Sequence, residues 1–512
     1  ARMDQSSTGT FAVPLTQRGE VRIERALMSV SDKRGLPEFA KGLTELGIEI
    51  ISTGGTANTL TDADVANRPI SNFTGFPEIM DGRVKTLHPK LHAGLLAVRD
   101  NPEHMRQADE HGVELIDLVC VSLYPFEETI ARGDATFEEV IEQIDIGGPT
   151  MIRAAAKNFP FVAVIVRPES YDAVLAELRE HEGKLSLATR ENLAAEAFAY
   201  TARYEAAIAR WFAEREQLFP SLRIQAYEKA ADLRYGENPH QSASYYVRLG
   251  APGQLLQGVT QHAGKELSYN NLLDLDAARQ LVHEFEEPAC VIVKHNNPCG
   301  VAIADDIADA YTAAFECDAM SAFGGVICFN RPVTVKAAQR LKQQFFEIVY
   351  APGFEDGALD EFSDKKDARV LEEIEYLEVE QEDVDIRQVL GGLLVQRRDH
   401  IDEELDSLSV VSKREPSEQE LTDLVFAWKI CKHVRSNAIV IAKNGVTLGI
   451  GAGQMSRVDA VRFAIEKAQD AASKREGGLE ELQGAVLASD AFFPFPDGPQ
   501  LAIDAGVKSI IQ

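Results

Sequence analysis

The chain has 512 residues, and 52 Lys and Arg against 81 Asp and Glu leave a formal charge of −29. A composition of 45% hydrophobic and 26% charged residues is that of an ordinary soluble globular protein, but single cores stop growing near ~250–300 residues, so more than one is expected. Nucleic acid and anionic membranes are poor partners for so acidic a chain, because both are held by clustered Lys and Arg.

The polar start, Ala1 to Glu20, lacks the apolar segment of a signal peptide, so residues 1–25 read as a flexible N-terminal arm. No apolar run approaches the ~20 residues of a membrane span, and the expected location is the cytoplasm. Six cysteines (Cys120, Cys290, Cys299, Cys317, Cys328, Cys431), mostly inside apolar runs, read as reduced core residues rather than a disulfide framework.

Ala26–Val30 reads as a strand, after which Leu36, Phe39, Ala40, Leu43 and Leu46 share one face of a helix ended by Gly47. Ile48–Ile51, Leu115–Leu123 and Phe161–Val166 read as further strands with helices between them. Such alternation predicts an open α/β domain, a parallel sheet covered on both faces. A helical stretch, Leu187–Phe212, and the polar segment Pro220–Asp232 place the boundary near residue 225. The second unit, 226–512, also mixes strands and helices. Within it, Cys290-Val-Ile-Val-Lys-His-Asn-Asn-Pro and Ala438-Ile-Val-Ile-Ala-Lys-Asn-Gly each read as a buried strand ending in Lys and a polar turn. Duplication and chance likeness stand level on these residues alone. Between them the acidic stretch Phe354–Asp385 reads as a solvated linker or surface excursion.

Ser52-Thr53-Gly54-Gly55-Thr56 follows a predicted strand and opens a helix. Its glycines let backbone amides approach a ligand, its hydroxyls add donors, and the helix N-terminus adds partial positive charge, which suits a phosphate; a plain chain reversal is the alternative. Ser31-Asp32-Lys33 occupies the matching place after the first strand. Arg83, Lys85, His88 and Lys90 put cationic groups into eight positions of an acidic chain, as an anion site or a solvated basic loop would. Asp145-Ile-Gly-Gly-Pro-Thr150 is a turn into a helix that carries Arg153 and Lys157 on one face. In the second unit, Leu233-Arg-Tyr-Gly-Glu-Asn-Pro-His240 is rich in hydrogen-bonding groups and poor in helix formers. Lys294-His-Asn-Asn-Pro-Cys-Gly300 directly follows a buried strand and sets a cation beside a group able to accept a proton. A zinc deaminase would need His-x-Glu and Pro-Cys-x-x-Cys. Pro298-Cys299 is present, but residue 302 is alanine and no histidine has Glu two positions later, so the zinc reading fails on ligand count.

Together these blocks resemble the bifunctional purine-biosynthesis enzymes that join 5-aminoimidazole-4-carboxamide ribonucleotide (AICAR) formyltransferase to IMP cyclohydrolase. The resemblance runs from about Ala26 to the last residue. It implies a methylglyoxal-synthase-like open α/β domain over 26–225 with cyclohydrolase activity. Over 226–512 it implies a formyltransferase built from two cytidine-deaminase-like α/β domains without zinc. The family continues for roughly two dozen residues beyond the point matching Gln512, so its C-terminal tail is either disordered and left out or truly absent; if it is absent, impaired formyl transfer and retained cyclisation are expected. AICAR, formyl-AICAR, IMP and folate are the implied small-molecule partners and 10-formyltetrahydrofolate the co-substrate. The resemblance also implies a homodimer and admits a monovalent cation, potassium.

In the formyltransferase the resemblance makes His295 the base that takes the amine proton and Lys294 the group that stabilises the oxyanion and leaving group. Arg234, Tyr235 and His240 would bind nucleotide, Asn437 would meet its carboxamide region, and Arg457 and Phe492 match folate-side elements. In the cyclohydrolase, Lys157 matches the proton-transfer lysine, with Asp145, Tyr124 and Lys85 around the ring. Ser31, Lys33, Ser52, Thr53, Gly54, Gly55, Thr56, Arg83 and Thr86 would hold the ribose phosphate and its neighbourhood. A nucleotide-binding protein on the same scaffold, with one or both activities lost, is the alternative reading.

Overall fold

The computed structural model describes residues 19–214, 217–251, 253–373, 384–399, 408–475 and 477–512. The chain divides into two compact units, Ala1–Ala226 and Tyr227–Gln512. Of the arm expected over residues 1–25, 1–18 lie outside the described residues. Val21–Arg22, by contrast, pairs antiparallel with Lys184–Leu185, and Ile23 is buried, so the end of that arm is tied to the fold. Among the described residues no helix is long and apolar enough to cross a membrane.

In the first unit a five-stranded sheet runs in the order Arg68–Pro69, Glu49–Ser52, Arg25–Val30, Leu118–Ser122, Ala163–Ile165, all parallel. Parallel strands need crossovers, and the helices that provide them cover both faces. Side chains alternate accordingly. Leu27, Ile51, Val119, Val121 and Val164 enter one core, whereas Ala26, Met28, Ile50, Cys120 and Ile165 enter the other. The helix Leu36–Glu45 buries Leu36, Phe39, Ala40 and Leu43 in the second core, where Phe39 stacks on Tyr171 at 4.4 Å between ring centroids. Each fully buried large apolar side chain is worth about 1.5–3 kcal/mol, so this face alone anchors the helix. The loops after the strands gather at one sheet edge, the usual ligand site of such folds.

In the second unit a ten-stranded sheet is formed among the described residues. One half contains the hairpin Ala289–Lys294 and Asn297–Ile303, followed outward by Val326–Phe329, Ile348–Ala351, Arg369–Glu373 and Val259–Ala263. The other half contains the hairpin Ile439–Lys443 and Val446–Gly451, then Ala485–Ser489 and Val507–Ile511. The two hairpins meet antiparallel at Ala302 and Val446, where Thr447 Oγ1 accepts the Val301 N–H and donates to its carbonyl, at 2.9 and 3.0 Å.

This arrangement decides the question of duplication. Each half carries a serine-capped helix ahead of its hairpin, Tyr269–Val282 after Ser268 and Glu418–Lys432 after Ser417, both with a capping box. Each helix carries an aspartate in its second turn, Asp274 and Asp423, and each hairpin has a bulge, between Ile292 and Val293 and between Ile441 and Ala442. Each also presses a glycine onto helix backbone, since β-carbons on Gly300 and Gly449 would lie 1.8 and 2.1 Å from the Ala314 and Ala464 carbonyl oxygens. The caps, aspartates, bulges and glycines are separated by the same 149 positions as the contacting pair Glu284 and His433. Asp318 and Lys467, also 149 apart, touch as well. Contacts between equivalent residues arise beside a two-fold axis, which chance likeness of two strands would not supply.

The reading of Phe354–Asp385 as a linker needs correction. Ala358 and Phe362 are buried, and Arg369–Glu373 is a strand inside the sheet. Its charges are neutralised internally, Arg369 by Glu347 at 2.6 Å and Glu373 by Arg279 at 2.8 Å. Residues 374–383 lie outside the described residues.

Candidate active sites

At the loop edge of the first sheet lies a cavity of about 670 Å³. Ser31, Lys33, Thr53, Gly55, Thr56, Arg83, Lys85, Thr86, Tyr124 and Asp145 line it. Gly54 opens the helix Gly54–Asp62 at the same loop but is not among the lining residues. Ser52 is fully buried behind the loop, its Oγ donating to Asn67 Oδ1 at 2.5 Å, so it supports the loop rather than facing the cavity.

The loops are tied to one another by side chains. Thr56 Oγ1 accepts the Val30 N–H and the Lys33 ammonium, both at 3.0 Å. Ser122 Oγ accepts the N–H groups of Ser31 and Asp32 at 2.7 and 2.9 Å. Burial lowers the Lys33 pKa below the usual lysine value. Lys85 Nζ stands 3.3 Å from the Tyr124 hydroxyl and 5.9 Å from its ring centroid, so the phenol and the cation are held together. Asp145 Oδ1 accepts the Gly148 N–H at 2.8 Å, and the Asp145 N–H donates to Tyr204 Oη at 2.8 Å. Burial pushes the Asp145 carboxyl up, with the Gly148 N–H and the Lys85 charge opposing it. A carboxyl so placed is suited to exchanging a proton with a bound ring.

Glu142 is a cavity residue that the sequence reading missed. It ends the helix Phe137–Glu142 and forms an ion pair with Arg83 across the cavity lining. Its only sequence signal is its place just ahead of the Asp145 turn. Of the basic run, His88 turns away to cap the helix Pro89–Leu96, accepting the Lys90 N–H at 3.2 Å. Lys157 also differs from expectation. It is exposed at the end of the helix Gly147–Lys157, which at 1.5 Å per residue is roughly 15 Å from the glycines that line the cavity.

In the second unit, Lys294 and His295 sit at the tip of the first hairpin. Lys294 Nζ donates to the Phe323 carbonyl at 2.8 Å, and His295 is exposed with φ of 54°. Asn297 joins this tip to the other half: its Nδ2 donates to the His295 carbonyl at 3.2 Å and its Oδ1 accepts the Arg435 N–H at 3.0 Å. Two residues on, Asn437 Oδ1 accepts from Arg457 at 2.8 Å, and Arg457 also bonds Ser489 Oγ at 2.8 Å and pairs with Asp490. Burial opposes ionisation of Asp490, but the Arg457 hydrogen bond wins and lowers its pKa. Phe492 follows, exposed. A cavity of about 1120 Å³, lined in part by Asn296, Arg435, Ser436 and Asp490, adjoins the network.

The structure therefore brings Lys294, His295, Asn437, Arg457 and Phe492 to one edge, using loops from both halves. Arg234, Tyr235 and His240 lie on the loop of the separate ribbon Tyr227–Leu233 and Ala243–Arg248. The Arg234 guanidinium covers the Tyr235 ring at 5.4 Å, and the loop touches the first turn of the helix Tyr269–Val282 through Asn270 and the Glu237 carbonyl, at 3.1 Å. Among the described residues no hydrogen bond or ion pair links these three to Lys294 or His295. Cys299 is buried, its Sγ directed at the Ile292 carbonyl, and among the described residues no group of three or more His, Cys, Asp or Glu could hold a metal.

Comparison with known proteins bears on both sites. The family model described as AICARFT/IMPCHase bienzyme matches residues 155–467, and that of the MGS-like domain matches residues 35–150. The chain is 51% identical over 491 residues to the bifunctional purine biosynthesis protein PurH of Thermoanaerobacter sp. (strain X514), a match covering 96% of this chain and 94% of that protein. It is 50% identical over 494 residues to the protein of the same name from Roseobacter denitrificans (strain ATCC 33942 / OCh 114), covering 96% and 93%. A solved structure, that of ForH, is 35% identical and covers 37% of this chain and 96% of its own, with a TM-score of 0.34.

Proposed function

The chain belongs to the family of AICAR formyltransferase–IMP cyclohydrolase bienzymes, and from that premise we propose which residues carry each of its two reactions. It is an enzyme of purine biosynthesis that formylates AICAR and closes the product to IMP, with a folate as formyl donor. We assign ring closure to the first unit and formyl transfer to the second.

In formyl transfer, the 5-amino nitrogen of AICAR attacks the formyl carbon of 10-formyltetrahydrofolate. His295 takes the amine proton, Lys294 stabilises the oxyanion, and the C–N bond to the folate breaks as its N10 leaves with a proton. Asn437, tied to Arg457, is placed to orient the carboxamide, and Arg457 and Phe492 face the folate. In ring closure, the carboxamide nitrogen attacks the new formyl carbonyl, and water leaves after protonation of the oxygen. That step needs mainly orientation and a proton source. The observation that carries the assignment is the joint presence, in the lining of one cavity, of the glycine loop, Lys33 and Arg83 with Lys85, Tyr124 and Asp145. The first group suits the ribose phosphate and the second the ring. Because Lys157 stands outside that lining, Lys85 is the nearer proton source.

IMP formation measured from AICAR plus 10-formyltetrahydrofolate, and separately from formyl-AICAR, tests the reading. His295→Ala is expected to abolish the first and spare ring closure; Lys85→Ala and Lys157→Ala are compared on ring closure, the larger loss marking the proton donor. Loss of both activities on changing any one of them would count against separate sites. We propose further that the enzyme is a cytoplasmic homodimer and that potassium activates formyl transfer, which sedimentation and a potassium titration would check.

A further inference from the structure

We infer that Asp274 is a positioning residue for formyl transfer, holding His295 and Asn296 in the left-handed turn that presents the Lys294–His295 pair. The inference rests on the reading of His295 as the base and deepens it. A two-residue hairpin turn with φ positive at both central positions is best made by Asn-Gly, because glycine enters that region without cost and asparagine with little. The second copy of the hairpin has that sequence, Asn444-Gly445, at φ of 51° and 69°. The first copy makes the same turn with His295-Asn296, at 54° and 59°. A β-carbon is disfavoured in this conformation, so the side chain needed for chemistry opposes the turn that displays it.

The two copies answer differently. Asp274, half-buried on the helix Tyr269–Val282, accepts both turn amides, from His295 at 3.2 Å and from Asn296 at 2.7 Å. Its counterpart Asp423 accepts one, from Gly445 at 3.1 Å. Bonds to an ionised carboxylate are stronger than those between neutral groups. The aspartate thus makes its fuller clamp where the turn sequence is poorer. Asn297 steadies the other side through the His295 carbonyl. Asp274 acts through the backbone of the turn, so its loss should spread the positions of the imidazole relative to Lys294 and slow the chemical step while leaving nucleotide binding alone.

The test measures both reactions in the full-length chain. Asp274→Asn keeps the shape but turns an NH2 toward one of the two amides. Its kcat for formyl transfer is expected to fall about tenfold or more, with KM for AICAR within about twofold and ring closure of formyl-AICAR at the parental rate. Adding Asn296→Gly to that variant should recover most of the lost kcat, because glycine adopts the left-handed conformation unaided. If Asp274→Asn does not fold, Asp274→Glu, which keeps the charge and shifts it by a methylene, is read for the same split. A kcat within about twofold of the parent, a loss borne by KM, or no recovery with Asn296→Gly would overturn the inference. His295→Ala separates the two levels. Transfer that survives it removes the reading of His295 as base, whereas transfer lost there but kept in Asp274→Asn removes only the positioning role.

Discussion

Adding one methyl group at Gly148 would test whether the Asp145 carboxylate must stand where it does for ring closure. A β-carbon at Gly148 would lie 2.6 Å from Asp145 Oδ2 and 2.5 Å from Leu123 Cδ2, whereas ordinary contacts begin at 3.4 Å. The carboxylate must therefore retreat by roughly 0.8 Å. It cannot do so freely, because Asp145 Oδ1 accepts the N–H of this same residue at 2.8 Å. Two effects on stability oppose each other: alanine favours the helix by about 1 kcal/mol, and overpacking costs about 1–3 kcal/mol. Packing wins by a small margin, so Gly148→Ala should fold with a modestly lower unfolding temperature. Its effect on catalysis is larger, since a displacement near 1 Å in a positioned group costs about 100-fold in rate, or roughly 2.7 kcal/mol of barrier. The absorbance change on conversion of formyl-AICAR to IMP gives kcat directly, with formyl transfer by the same preparation as control. Ring closure within about threefold of the parent would refute the claim that the carboxylate position matters.

Three further outcomes follow from other parts of the molecule. Burial raises the Glu284 carboxyl, but hydrogen bonds from His433 and Lys432 win and hold it at about 2, against an ordinary 4.5. A depressed carboxylate stabilises the fold fully above pH ~4.5 and loses that contribution as pH falls toward ~2, about 2–3 kcal/mol in all; Glu284→Gln should lower stability at pH 6 and flatten the acid dependence, and an unchanged acid limb in urea unfolding would contradict this. Gly300→Ala places a carbon 1.8 Å from the Ala314 carbonyl oxygen, with backbone on both sides, so a loss of about 3 kcal/mol or more is expected. Formyl transfer should then inactivate on warming well before ring closure, and parallel inactivation would count against it. Tyr124→Phe removes the hydroxyl that meets Lys85 at 3.3 Å, and ring-closure kcat should drop about three- to tenfold with formyl transfer unaffected.

How far the sites could be read from sequence depended on what makes each feature local. The glycine loop, Ser31-Asp32-Lys33 and the Asp145 turn declare themselves because helix N-termini and, at Gly147 and Gly148, close side-chain packing restrict residue type over a few positions. Four of the five strands of the first unit's parallel sheet, all but the two-residue Arg68–Pro69, were legible because both faces of such a sheet are buried, which makes short unbroken apolar runs. Glu142 was not legible, since a carboxylate on a short acidic helix looks solvated until the fold sets Arg83 against it. The strand Arg369–Glu373 was hidden for a related reason: its Arg and Glu suggest solvent, and only distant partners, Glu347 and Arg279, make their burial tolerable. Lys157 is a separate case. Helix periodicity sets it on a face with Arg153, but it cannot report that the cavity lies at the far end of that helix.

The duplication shows which constraints survive when two copies of a fold diverge. Apolar strand residues exchange freely under packing, which is why Cys290-Val-Ile-Val and Ile439-Val-Ile-Ala could not settle the matter alone. The capping serines, the second-turn aspartates, the bulges and the glycines under the helices stayed, because each satisfies or shapes the backbone at one position. The lysine belongs with them. Lys294 reaches the Phe323 carbonyl at 2.8 Å, and Lys443 reaches the Gln483 carbonyl at the same distance. An ammonium bound to a carbonyl beyond the hairpin is therefore common to both copies and needs no catalytic explanation by itself. What distinguishes the first copy is histidine in place of Asn444, asparagine in place of Gly445, and an aspartate that grips both. Under the proposed assignment of His295 as base and Lys294 as oxyanion partner, His-Asn in place of Asn-Gly is what separates the catalytic hairpin from the structural one.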